Sequence, residues 1–191
     1  GGDEEADEAL RERFYEKVRN PATSGNKHHY RQWALEVPGV GDAKVFPLDS
    51  GDGTLTVLIV DVDKARNPSL EPAVRDYIET VRPIGATVTV SSPTMRSVNV
   101  SANVILDGTK TLDDVLAMFK SQFTEYLKSL VFVEYRVSYA KIGSLLLNIE
   151  GVQDYDDLRL NNSTGNIIVG EKEIPAMGTV SLEEVHTIAA D

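Results

Sequence analysis

One stretch of the chain decides its fold class: SVNVSANVILDGTKTLDDVLAMFKSQFTEYLKSL, residues 97–130. Its first part alternates apolar residues with Ser and Asn, which is the period of a strand that buries one face. Its second part repeats large apolar residues at helical spacing from Leu112 to Leu130. Thr111 and Asp114 flank the start of that helix as a capping box, with Asp in place of the usual Glu. The stretch therefore predicts a half-exposed strand followed by an amphipathic helix.

The chain before this stretch predicts helices and strands of its own. A first helix carries a narrow apolar stripe of Leu10, Phe14 and Val18, and a second, capped by Asn26, ends at Pro38-Gly39. Then come a hairpin of strands 43–48 and 54–61, a helix opened by Asn67, and a strand at 86–90. Trp33 lies on the stripe of the second helix, so we expect it to be largely buried. Its replacement by Ala should then cost about 3–5 kcal/mol.

The chain after residue 130 predicts a second set of short elements. A strand spans 133–137, a helix capped by Ser138 runs to Ile149, and strands follow around 155–160, 167–169 and 178–185. The predicted fold is α+β, with two small mixed α/β sandwich-like units in the orders β-β-α-β and β-α-β-α-β-β. We expect an N-terminal helical segment at 1–35, a first unit at 36–95 and a second at 96–191.

Two corners of the chain resemble each other. The segments 35–42 and 147–154 both combine the end of a helix, a Gly-Val turn, an Asp and the start of a strand. Independent choice of Gly at two helix-to-strand corners and duplication of a small module both explain this pattern.

Composition narrows the range of functions. The 191 residues include 30 acidic and 19 basic ones, for a net charge of −11, and no Cys. Such a charge disfavours nucleic acid, and without Cys there are no disulfides, thiolate nucleophiles or Cys-bound metals. The sequence shows neither a signal peptide nor a membrane span, so we expect a soluble protein made inside the cell. An opening Gly-Gly without Met suggests a piece of a longer protein.

Few residues qualify as candidates for chemistry. Asp61 and Asp63 follow an apolar strand, where paired carboxylates can hold Mg²⁺ or Mn²⁺. Acidic residues at a strand end are more often only solvated, and no third ligand is spaced nearby. His28 and His29 diverge on a helix, and His186 stands alone. We therefore expect no catalytic residue, metal site or cofactor.

A longer block of sequence resembles a known family. The segment 22–45 closely resembles the baseplate J family of contractile phage tails, and so do PIGATVTV at 83–90 and the segments 143–154, 158–161 and 174–180. The resemblance implies the middle and C-terminal portion of a baseplate J-like protein from a phage or prophage.

The resemblance also implies a function. Members are structural wedge proteins that build a roughly sixfold baseplate and couple host attachment to sheath contraction. The implied partners are other baseplate and tail proteins and copies of the chain itself, with no membrane, nucleic acid or small-molecule substrate. The implied location is the virion, after assembly in the host cytoplasm.

The sequence also points to two surface features that should matter for assembly, and it leaves two alternative functions open. Residues 151–191 carry a net charge of −6, so the acidic C-terminal surface, together with Gly85, should matter for assembly. One alternative is a freestanding adaptor that binds a peptide at a sheet edge. The other is a metal-dependent enzyme domain that uses Asp61 and Asp63.

Overall fold

The structure, a computed structural model, describes residues 27–188. The predicted first helix with Leu10, Phe14 and Val18 lies outside the described residues. The chain divides into two compact units, with the division between Pro93 and Thr94.

The first unit packs two helices onto a three-stranded sheet. Its elements are α1 (Lys27–Glu36), β1 (Val40–Pro47), β2 (Thr54–Asp61), a 3₁₀ turn (Pro68–Leu70), α2 (Glu71–Val81) and β3 (Thr87–Ser91). The sheet order is β1-β2-β3. β1 and β2 form the predicted antiparallel hairpin, with Val45 opposite Val57, and β3 returns parallel to β2 after α2. This is the predicted β-β-α-β order.

Local chemistry shifts two predicted boundaries in this unit. The helix opened by Asn67 begins at Glu71, because Pro68 to Leu70 form a 3₁₀ turn and the Asn67 side chain caps nothing. β1 begins at Val40, three residues before the predicted strand, because a bulge between Val40 and Asp42 lets the pairing with β2 continue past Gly41.

α1 belongs to the core of the first unit. Tyr30 and Ala34 are fully buried. They belong to the same apolar core as Ile59 of β2 and Ile78 of α2. The predicted organisation placed these residues in an N-terminal helical segment, 1–35, that precedes the first unit. In the structure, Tyr30 and Ala34 pack into the core of the first unit. Trp33 lies at the margin of that core and is only partly buried, so Tyr30 takes the central aromatic position predicted for Trp33.

The second unit places two helices against a sheet of long strands. Its elements are β4 (Thr94–Leu106), α3 (Leu112–Leu130), β5 (Arg136–Val137), α4 (Tyr139–Leu147), β6 (Val152–Leu160), β7 (Ile167–Ile168) and β8 (Glu173–Glu184). The main sheet has the order β6-β4-β8, with β4 antiparallel to β6 and parallel to β8. β5 and β7 form a separate two-stranded sheet. Three strands follow α4, near the three positions predicted for them, although the predicted order counted two; β8 is longer than the short strand predicted there.

The stretch 97–130 is built as predicted. The Thr111 side chain accepts from the Asp114 N–H, and the Asp114 side chain accepts from the Thr111 N–H, which completes the capping box. Ser138 caps α4. One face of β4 joins α3 and α4 in a core that contains Val98, Val100, Ala102, Val104, Phe119, Phe123, Ile142 and Leu146. The other face of β4 carries the Ser and Asn residues. The α+β class is therefore confirmed.

Candidate functional site

Asp61 closes a loop at the end of β2. Its Oδ1 accepts from the backbone N–H groups of Asp63, at 2.9 Å, and Ala65, at 3.0 Å. Lys64 sits inside this loop with φ near 59° and directs its ammonium to Asp42. Asp61 Oδ1 thus accepts two backbone hydrogen bonds that close the loop. No group of three or more His, Asp or Glu in residues 27–188 is placed to hold a metal ion.

Two of the three histidines lie in the first unit and one in the second. His28 and His29 are neighbours on α1 with ring centroids 6.4 Å apart, and His29 stacks on Trp33 at 5.9 Å. His186 is exposed beyond the end of β8.

Asp42 is a charged residue buried in the first unit, with 7% of its surface exposed. Its Oδ1 accepts from Arg31 Nη2 of α1 at 2.8 Å and from the Ala43 N–H at 2.8 Å. Its Oδ2 pairs with Lys64 Nζ at 3.2 Å. We call Arg31, Asp42 and Lys64 the Asp42 clasp. It joins α1, β1 and the loop after β2.

The clasp keeps Asp42 ionised. Burial on its own would raise the pKa of this carboxyl, but the hydrogen bonds from the Ala43 N–H, Arg31 and Lys64 outweigh burial. The pKa of Asp42 therefore lies below its ordinary value. No local sequence pattern marks this group, because the cationic partners of Asp42 lie 11 and 22 positions away.

The second sheet exposes one broad face. Asn103 in the central strand β4 is aligned with Asp156 of β6 and with Glu183 of β8, so all three point to the same side. The Asn103 amide donates to Asp156 at 3.1 Å. Asp154 lies opposite Ile105 on the same side. We call the side of the sheet that carries Asp154, Asp156 and Glu183 the open face.

Two other acidic residues of the C-terminal part lie elsewhere. Asp157 sits in a bulge of β6 with φ near 48° and pairs with Arg159 at 2.8 Å. Glu184 is aligned with the buried Val104, so it points to the helix side at the exposed end of β8. The acidic surface expected from composition is thus divided, and three carboxylates share the open face.

The loop after α2 presents a single apolar side chain. Arg82 pairs with Glu79 at 2.8 Å and donates to the Pro83 carbonyl at 3.2 Å, which ties the loop to the helix. Ile84 is fully exposed. Gly85 has φ near 112°, a conformation that disfavours any side chain, and a Cβ there would meet nothing within 4 Å. Gly85 therefore shapes the loop rather than making a contact in the described structure.

Two family models match the chain in the same order as the two units. Residues 22–92 match the Baseplate J-like central domain, and residues 98–183 match the Baseplate J-like protein C-terminal domain. The chain belongs to the baseplate J-like family. The family resemblance seen in the sequence is confirmed, and the two matched ranges meet near the division between the two units of the structure.

Relatives of this baseplate J-like chain come from phages and phage-like elements. The Phage-like element PBSX protein XkdT of Bacillus subtilis is 35% identical over 96% of this chain and 55% of that protein. The Baseplate protein gp47 of Escherichia phage Mu is 29% identical over 94% of this chain and 52% of that protein. The chain spans about half the length of these curated relatives.

A solved structure shares the fold. A chain in the cryo-EM structure of the anti-feeding prophage baseplate, 6-fold symmetrised, matches 90% of this chain with a TM-score of 0.62. The match covers 41% of that chain at 13% identity, so it shows a shared fold and nothing further. Within residues 27–188, no helix combines the length and the apolar character needed to cross a bilayer.

Proposed function

We propose that this baseplate J-like chain is part of a wedge protein in the baseplate of a contractile phage or prophage tail. It helps to assemble the baseplate and to couple attachment to sheath contraction, without catalysis. Its partners are other baseplate and tail proteins and copies of itself around a sixfold axis. Its location is the virion, after assembly in the host cytoplasm. Membership of the family across both units is the observation that carries the proposal.

The open face supports a role in protein contacts. The helices of the second unit pack on one side of the β6-β4-β8 sheet, and the other side offers aligned polar and acidic side chains. Charge of one sign on a face acts mainly on partner choice and association rate. We expect a neighbouring baseplate protein to dock there in a salt-sensitive way, because exposed charges are screened within about 8–10 Å.

Charge reversal in the full-length protein tests this role. The variant Asp154→Lys, Asp156→Lys, Glu183→Lys should fold, as judged by circular dichroism, but yield few complete tails by electron microscopy. A matched control reverses three other exposed acids: Glu150 and Glu171, which lie in turns, and Glu184, which points to the helix side. The control should yield normal tails. Normal tail numbers from the open-face variant would refute the docking role.

A second candidate is the peptide-binding adaptor, and β3 favours it. In the described sheet β3 is an edge strand of sequence TVTVS, without the charge or Pro that commonly protects an edge. β1, the opposite edge, contains a bulge and Pro47. Thr89→Lys should abolish strand addition at β3. Tails that assemble normally with Thr89→Lys would rule out a required strand at this edge.

The enzyme alternative makes a separate prediction. If Asp61 and Asp63 held a metal, calorimetry would detect Mn²⁺ binding that Asp61→Asn abolishes. We expect no heat of binding above buffer, because Asp61 already accepts two backbone hydrogen bonds. Saturable binding that depends on Asp61 would revive the enzyme hypothesis.

A further inference from the structure

α1 has little to keep it helical on its own. It has ten described residues, and only Tyr30 and Ala34 are fully buried. Isolated helices of this length are unstable in water, and most helical stability in proteins comes from packing. Packing against the first sheet therefore supplies most of the stability of the described part of α1.

Polar contacts hold the middle and the C-terminal end of this docked helix. In its middle, Arg31 donates from Nη2 to Asp42 at 2.8 Å and from Nε to the Ala43 carbonyl at 3.2 Å. At its C-terminal end, Glu36 accepts from the hydroxyl of Tyr77 in α2. The first contact is part of the Asp42 clasp and involves a buried carboxylate, whereas the second is exposed. The Asp42 clasp is thus the stronger attachment.

Two buried polar atoms of the first unit, one of them in α1, lack a hydrogen-bond partner among the described residues. These atoms are Tyr30 Oη and Arg82 Nε. A buried donor without an acceptor loses its hydration and gains nothing in return. The most deeply buried side chain of α1 therefore carries an energetic cost that undocking would relieve.

We propose that α1 is a latch: it leaves the first sheet as one unit while the sheet stays folded, and the Asp42 clasp sets how often it opens. The hydrogen bonding of the sheet does not depend on α1, because β2 pairs with β1 on one side and with β3 on the other. The opening of α1 itself does not depend on the function proposed above. A role for this motion in tail contraction would rest on that function.

Hydrogen exchange on the chain itself tests the latch. Asp42→Asn removes the charge that Arg31 and Lys64 share, so amides of α1 should exchange about ten- to a hundredfold faster at neutral pH. Amides of β2 and β3 should keep their wild-type rates. The matched control, Asp157→Asn, breaks an ion pair of the second unit and should leave α1 unchanged. Equal acceleration in α1 and β2, or no acceleration in α1, would overturn the proposal.

A second variant tests the unpartnered Tyr30 hydroxyl and should slow the amide exchange of α1 instead of accelerating it. Tyr30→Phe removes the unpartnered hydroxyl and keeps the ring, so α1 amides should exchange severalfold more slowly. Faster exchange would mean that the hydroxyl stabilises docking and would overturn this part of the argument. Both measurements need no assembled tail, so their failure is distinct from a failure of the proposed baseplate function.

Discussion

Phe119→Ala should destabilise the second unit and leave the first unit unchanged. Phe119 is fully buried on α3, and its ring stacks on Phe123 with centroids 5.6 Å apart. Truncation of a buried Phe costs about 3–5 kcal/mol, from lost apolar contact and the cavity that remains. A domain of this size is stable by about 5–15 kcal/mol, so the variant should still fold.

Two probes separate the units in this experiment. Trp33 is the single Trp of the chain and lies on α1, so its fluorescence follows the first unit, whereas far-UV circular dichroism follows both. With an m-value of about 1.5 kcal/mol/M in urea, the second unit's transition should move down by about 2–3 M. The Trp33 transition should stay in place. This is the outcome expected if the two units, divided between Pro93 and Thr94, fold independently.

A milder substitution at the same position, Phe119→Leu, serves as the control. Phe119→Leu keeps most of the volume but loses the ring stack, so its cost should be about 1–1.5 kcal/mol. If Phe119→Ala shifts the Trp33 transition as far as the circular dichroism transition, the units unfold together and the independent-domain proposal is refuted. If neither transition moves, the assignment of Phe119 to the core is refuted.

Three further predictions concern the first unit. Gly41→Ala should lower its melting temperature, because a Cβ there would overlap the Asp61 carbonyl and lie 2.7 Å from the Val62 Cα, whereas Gly165→Ala, which meets nothing, should not. The pKa of Asp42 is lowered on folding, so its contribution to stability is present above about pH 4 and is lost as the pH falls through the folded value. The stability difference between wild type and Asp42→Asn in urea should therefore shrink below pH 4, and a constant difference would contradict it. Trp33→Ala should cost about 1–3 kcal/mol in the same assay rather than 3–5, because the indole is only partly buried; a larger loss would contradict the marginal position.

Elements set by local sequence were predictable. The Thr111 capping box and the Ser138 cap involve residues three positions apart, so their geometry follows once a helix forms. The alternation along β4 likewise encodes its two faces. The start of α2 was misplaced because Asn67 resembles an N-cap, whereas Pro68 and the residues after it form a 3₁₀ turn first.

Features that depend on distant pairing were not predictable. Composition identified an acidic C-terminal part, but only strand register places Asp156 and Glu183 on one side and Glu184 on the other. The bulge at Asp157 in β6 determines which acidic residues of this strand face outward, and no local sequence pattern marks the bulge. Tyr30 and Trp33 share one helical stripe, and only the position of the sheet determines which of them is central.

The parallel pairing of β4 with β8 governs when the second unit can finish folding. The aligned residues Val98 and Met177 are about eighty positions apart, a separation that makes pairing slow because a long loop must close first. During synthesis β4 emerges well before β8, and the edge of β4 that pairs with β8 stays open until β8 has left the ribosome. For that interval a long strand with an apolar face has an unpaired edge, which is a site for aggregation. The yield of this protein should therefore depend on translation speed and chaperone supply between β4 and β8.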